Sequence, residues 1–229
     1  MKDVLTSPLA WLALSVLSYE IGLLANRRLK TPVANPLLIA MVLMCALLVA
    51  TGTSTETYNT GGAFISMFLT PATVALAIPI YRQLGTLKKH LLPILLGAFV
   101  GSLASMGSVF VLCKLFGLDS SVIASLLPKS VTTPIGVEVA RSLGGVPSIT
   151  AIAIIVTGLF GAVCLPGFLK KLGVNHPVTT GIAIGTSSHA VGTSRAIELG
   201  ETEGAMSGLA IGVAGLITAL VASVVAIFL

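Results

Sequence analysis

Charge is what this chain has least of. Asp, Glu, Lys and Arg make up 9% of its 229 residues, against about a quarter in ordinary soluble domains. Aromatic residues are also scarce, at 5% with a single Trp. A nucleic-acid surface needs a dense basic face. Here the net charge of +5 is spread over short connecting segments, so nucleic acid is not an expected partner. The three cysteines, Cys45, Cys113 and Cys164, stand singly in apolar stretches. None has the spacing of a metal site or redox pair, and each reads as a small packing residue. No metal and no cofactor is expected. H-E-x-x-H, G-x-S-x-G and Walker loops are all missing. The Thr-Ser-Ser-His run at 186–189 lacks a positioned acid and base, so no enzyme is expected.

What fills the chain is hydrocarbon. The apolar fraction is 55% and the mean hydropathy +1.04, which predicts an all-α, polytopic membrane protein in one domain over 1–229. At about 20 residues per crossing, apolar stretches fall near 9–25, 36–51, 62–81, 91–116, 120–141, 147–169, 178–199 and 204–229. Six to eight crossings are expected. The first stretch lacks a cleavage site and reads as a retained span. Arg27, Arg28 and Lys30 mark a cytoplasmic loop, as do Arg82, Lys88 and Lys89. The polar loop 52–61, with one Glu and no cation, fits the outside. Counting every stretch as a crossing then puts Lys170 and Lys171 outside, against the positive-inside rule. Either those lysines are tolerated, or one polar segment enters and leaves on the same side.

Two polar inserts interrupt the second half. Pro128-Lys129-Ser130-Val131-Thr132-Thr133-Pro134 is one, and Gly185-Thr186-Ser187-Ser188-His189-Ala190-Val191-Gly192-Thr193-Ser194-Arg195 is the other. Hydroxyls, imidazole and charge survive at membrane depth only where they face protein, water or a ligand. Prolines and glycines break the helical ladder and free backbone groups there. A shift of about 115 residues brings Leu69 onto Ile184 and Gly97 onto Gly212. This suggests two related halves, about 1–116 and 117–229, and broken segments in paired halves point to a transporter's midplane site.

The expected solute contacts are Lys129, Ser130, Thr132, Thr133, Gly185, Thr186, Ser187, Ser188, His189, Gly192, Thr193 and Arg195. Arg195 offers a fixed fork for a carboxylate. Glu198, three residues on, is placed to pair with it. Lys129 either meets an anion or snorkels to an interface. Asn35, Thr70 and Pro71 are secondary candidates, as is Glu138, which reads equally as a proton relay or as a partner of Arg141.

The segments 128–135 and 185–196, with Asn35-Pro36-Leu37-Leu38 and Leu69-Thr70-Pro71-Ala72-Thr73-Val74-Ala75-Leu76-Ala77, resemble the LrgB/CidB family across essentially the whole chain. The resemblance implies a multi-pass protein of the bacterial inner membrane. Family members were named for modulating murein hydrolases and autolysis, by analogy with holin and antiholin, and several sit beside an LrgA/CidA-type membrane partner. Similar sequence forms the C-terminal part of the plastid glycolate/glycerate translocator, and some members are linked to pyruvate uptake.

Two functions follow as expectations. The first is a transporter of small monocarboxylates (glycolate, glycerate, lactate or pyruvate) by alternating access. Arg195 and Lys129 would hold the carboxylate, Thr132, Thr133, Ser187 and Ser188 would read the neighbouring oxygen, and His189 would carry a coupled proton. The second is a holin/antiholin-like regulator of murein hydrolase activity acting with an LrgA/CidA-type partner. The expected surroundings are the lipid bilayer and a homo-oligomer, most simply a dimer.

Overall fold

The computed structural model describes residues 7–29, 34–68, 71, 74 and 77–228. Most of those residues are helical, and there is no strand among them. Contacts divide the chain into two units, Met1–Ala75 and Leu76–Leu229. The expected 115-residue register between halves runs across both units.

The first unit holds α1 (Pro8–Leu29), α2 (Pro36–Thr51) and α3 (Thr55–Ser66). α1 and α2 form an antiparallel pair. Ser18 Oγ donates to Met44 Sδ at 3.3 Å, and further along Asn26 Nδ2 donates to the Ala34 carbonyl at 2.9 Å. The expected loop 52–61 is helical from Thr55 onward. The reason is a cap: Ser54 Oγ accepts from the Thr57 amide at 3.3 Å, which satisfies one of the first-turn donors. Trp11 of α1 is fully buried and meets Tyr58 of α3 edge to face at 6.0 Å.

The second unit begins with two short helices, α4 (Ala77–Arg82) and α5 (Leu84–Lys89). Then come α6 (Leu91–Leu115), α7 (Ser120–Leu126), α8 (Thr133–Ser142), α9 (Pro147–Lys171), α10 (Pro177–Leu199) and α11 (Glu201–Val225), closed by a 3₁₀ turn, Ala226–Phe228. Prolines at the first turns of α8, α9 and α10 fix φ where no amide bond is lost. Gly117 and Gly173, at φ 67° and 75°, stop α6 and α9 alike.

Two segments turn back instead of crossing. α7 and α8 form the arms of the first hairpin, with a break at 127–132. Ser125 of α7 accepts from the Val146 amide at the start of α9, at 2.7 Å. The hairpin therefore leaves the bundle at the end where it came in. Its tip meets the middle of α6, where Ser130 Oγ lies 2.9 Å from Ser105 Oγ. From Ser105 to the Leu115 end there is about 15 Å of helix at 1.5 Å per residue, close to half the hydrocarbon thickness.

α10 is the second hairpin. Its backbone breaks at His189 (φ 42°, ψ −141°). In its first arm Gly181 packs on Glu203, and Gly185 on Ser207, further along α11. In its second arm Thr193 is again at Ser207, while Ile197 is back at Gly204. A crossing helix would continue along α11, whereas this one reverses. Both arms pack on the C-terminal half of α9, where Leu169 joins Ile184 and Ala196.

The second unit thus repeats one pattern, span then hairpin: α6 and α7–α8, then α9 and α10. The two spans have 25 residues each. Because α9 crosses between them, the hairpins enter from opposite ends. This accounts for the lysines. Arg82, Lys88, Lys89, Lys170 and Lys171 all lie at one end, which is also tied together by Arg82 with Glu201 at 3.9 Å and His90 with His176 at 5.9 Å between rings. The opposite end carries Lys114 and Arg141 balanced by Asp119 and Glu138.

Among the described residues four helices are long and apolar enough to cross a bilayer: α1, α6, α9 and α11. The expected count of six to eight is not reached by helices of that kind. Segments 120–141 and 178–199 turn back, α2 has 16 residues, and the expected span 62–81 lies partly outside the described residues.

Candidate solute-binding site

The reversal of α10 is built by close approach. Gly158 of α9 leaves room for the His189 ring, and a Cβ there would sit 2.6 Å from it. Gly161 does the same for the Ser188 side chain. His189 is 3% exposed, and its Nε2–H donates to the Ile154 carbonyl at 2.9 Å. Thr193 Oγ1 donates to the His189 carbonyl at 3.0 Å and lies 2.7 Å from Ser207 Oγ. The second tip is therefore pinned on one side to α9 and on the other to α11.

Between α6, α9 and the first arm of α10 lies a cavity of about 1480 Å³. His90 and His176 line it at the lysine-rich end. Its walls are apolar, with Val100, Val156, Phe160 and Phe168. Its polar residues include Lys129 and Ser130, then Thr186, Ser187 and Ser188 from the hairpin tips, with Ser105 and Ser108 of α6 and Thr157 of α9. This is the usual make-up of a small-molecule site, apolar walls with a few convergent polar groups.

Lys129 Nζ donates to Ser130 Oγ at 3.2 Å and to Ser105 Oγ at 3.4 Å. Among the described residues no carboxylate pairs with it. A partly buried ammonium without a counter-charge is costly, and a bound anion offsets that cost. Thr186 Oγ1 is buried without a hydrogen-bond partner, which is uncommon for a buried hydroxyl.

The structure thus brings Lys129, Ser130, Thr186, Ser187 and Ser188 to one cavity. It places the other expected contacts elsewhere. Arg195, expected to hold the carboxylate, is ion-paired with Glu198 on the second arm of α10 and lies outside the cavity lining. The i,i+3 spacing that brings the pair together also removes the fork from the site. His189, expected to carry a proton, is a buried pin of the hairpin tip. Gly185 and Gly192 are packing positions against Ser207 and Ile184, and Thr193 is bound to Ser207. Thr132 stands just before α8, and Thr133 is exposed outside the lining.

Among the secondary candidates, Glu138 pairs with Arg141 at 2.7 Å. Asn35 caps α2, its Oδ1 accepting from the Leu37 and Leu38 amides. Pro71 is exposed, and Thr70 lies outside the described residues. Sequence reasoning missed Ser105, Ser108 and Thr157, which also face the cavity. Single hydroxyls in long apolar runs give no signal of their own.

Fold and site define a helical membrane protein whose second unit folds two opposed hairpins around a polar-ended cavity. The LrgB-like family model matches residues 15–228. The antiholin-like protein LrgB of Bacillus cereus (strain B4264) is 41% identical over 216 residues, 94% of each chain. The antiholin-like protein LrgB of Bacillus anthracis (strain CDC 684 / NRRL 3495) shows the same identity and coverage. This chain belongs to the LrgB-like family, as its motifs led us to expect. No solved structure matches it. The relatives' shared name speaks for the regulator expectation, and neither name mentions a solute.

Proposed function

We propose that this protein carries a small monocarboxylate, of the glycolate, glycerate, lactate or pyruvate type, across the bacterial inner membrane. The observation that carries this reading is Lys129: an ammonium without a carboxylate partner among the described residues, in a cavity wall at membrane depth. Lys129 holds the carboxylate, and Thr186, Ser187 and Ser188 contact the adjacent oxygen. The lysine-rich end is cytoplasmic by the positive-inside rule, so the end of the cavity lined by His90 and His176 is the cytoplasmic one. Hairpins of matching form on opposite sides support alternating access, in which the two span–hairpin pairs exchange conformations around the site.

Uptake of labelled glycolate or pyruvate into proteoliposomes tests the proposal. The wild type should fill vesicles faster than empty liposomes do, and equal rates overturn it.

A second reading, regulation of murein hydrolase activity with an LrgA/CidA-type partner, is favoured by the name the relatives carry. The rate of cell lysis with and without the protein, at constant carboxylate supply, measures it. The two readings are compatible, since carboxylate flux alters the proton gradient.

A further inference from the structure

Resting on that reading of the cavity, we propose that Ser105 of α6 completes the carboxylate subsite with Lys129 and sets its affinity. Counting donors carries the argument. The ammonium has three N–H groups and each serine hydroxyl has one proton. Two N–H groups are directed at Ser130 Oγ and Ser105 Oγ, 3.2 and 3.4 Å away. The two serine oxygens lie 2.9 Å apart and share one proton between them.

Either hydroxyl can donate across this pair, and we take Ser130, at 9% exposure the more deeply buried, as the donor to Ser105. That leaves one N–H of Lys129 and the O–H of Ser105 free on the cavity side, where both residues line the wall. Two donors side by side, one of them charged, match the two oxygens of one carboxylate. The serines also hold the long lysine chain in place, so less of its freedom is lost when the anion binds. The donors come from two elements, the crossing helix α6 and the first hairpin tip. Any movement of that tip along α6 takes the subsite apart, which gives release as well as binding.

The test uses purified protein carrying Cys45→Ser, so that Cys164, exposed and on the cavity wall, reports occupancy. Labelled glycolate uptake and the rate of Cys164 alkylation with added glycolate are measured for Ser105→Ala and Ser105→Thr. Loss of one donor to a carboxylate should raise KM and the protecting glycolate concentration about tenfold in Ser105→Ala, with the maximal rate within about twofold. Ser105→Thr, which keeps the hydroxyl, should restore both. Unchanged KM and protection in Ser105→Ala overturn the role of Ser105 and leave transport standing. A raised KM that Ser105→Thr fails to restore also overturns it, because the loss is then one of packing. If parent vesicles take up nothing while glycolate still protects Cys164 in a Ser105-dependent manner, transport falls and the subsite stands. If glycolate neither enters nor protects, both fall.

Discussion

His189 Nε2 lies 2.9 Å from the carbonyl oxygen of Ile154, tying the tip of the second hairpin to the middle of α9. The same residue holds the chain's one positive φ outside glycine among the described residues. Backbone strain and a buried hydrogen bond therefore meet at one position. His189→Ala keeps the same backbone strain and removes the imidazole's bond to the Ile154 carbonyl, at a cost of about 1–2 kcal/mol. His189→Gly loses the bond but relaxes the backbone, so it should cost about 1 kcal/mol less. Melting temperatures in detergent should therefore fall in the order wild type, His189→Gly, His189→Ala.

The hairpins enter from opposite ends. Single cysteines at Asp119 and Ser142 flank the first, and single cysteines at Asn175 and Leu199 flank the second. In sealed right-side-out vesicles an impermeant maleimide should label the first pair and spare the second. Labelling of one member from each pair would mean that both segments cross.

Thr186 separates stability from function. Its Oγ1 is buried and unpartnered, so Thr186→Val removes a desolvated hydroxyl at nearly constant shape. Stability should hold or rise by up to about 1 kcal/mol. On the proposed role, glycolate KM should rise in the same variant, because Thr186 lines the cavity. A loss of thermal stability with unchanged KM would assign Thr186 to packing.

The long apolar helices and the two polar breaks were legible in the sequence, because hydropathy and helix-breaking residues act locally, whereas the helix Thr55–Ser66 read as a loop. The reversals were not. A helix–break–helix of about 20 residues has the length of a crossing, and only the contacts of Gly181, Gly185, Thr193 and Ile197 along α11 distinguish the two. The lysines at 170–171 carried the clue, since their sign agrees with the rest only if segments turn back. Part of the candidate cavity's lining was readable. Lys129, Ser130 and 186–188 stood out as polar groups at membrane depth, whereas Ser105 sits alone in an apolar helix. Arg195 drew attention by its charge, although its partner Glu198 stood three residues away.

The most direct measurement compares glycolate uptake by Lys129→Gln and Arg195→Gln in the same proteoliposomes. Lys129→Gln removes the cavity's fixed cation and should lower uptake at least about tenfold at subsaturating glycolate. Arg195→Gln breaks an exposed ion pair and should change it by less than about twofold. Wild-type uptake by Lys129→Gln, or loss confined to Arg195→Gln, would contradict an anion site between the hairpin tips.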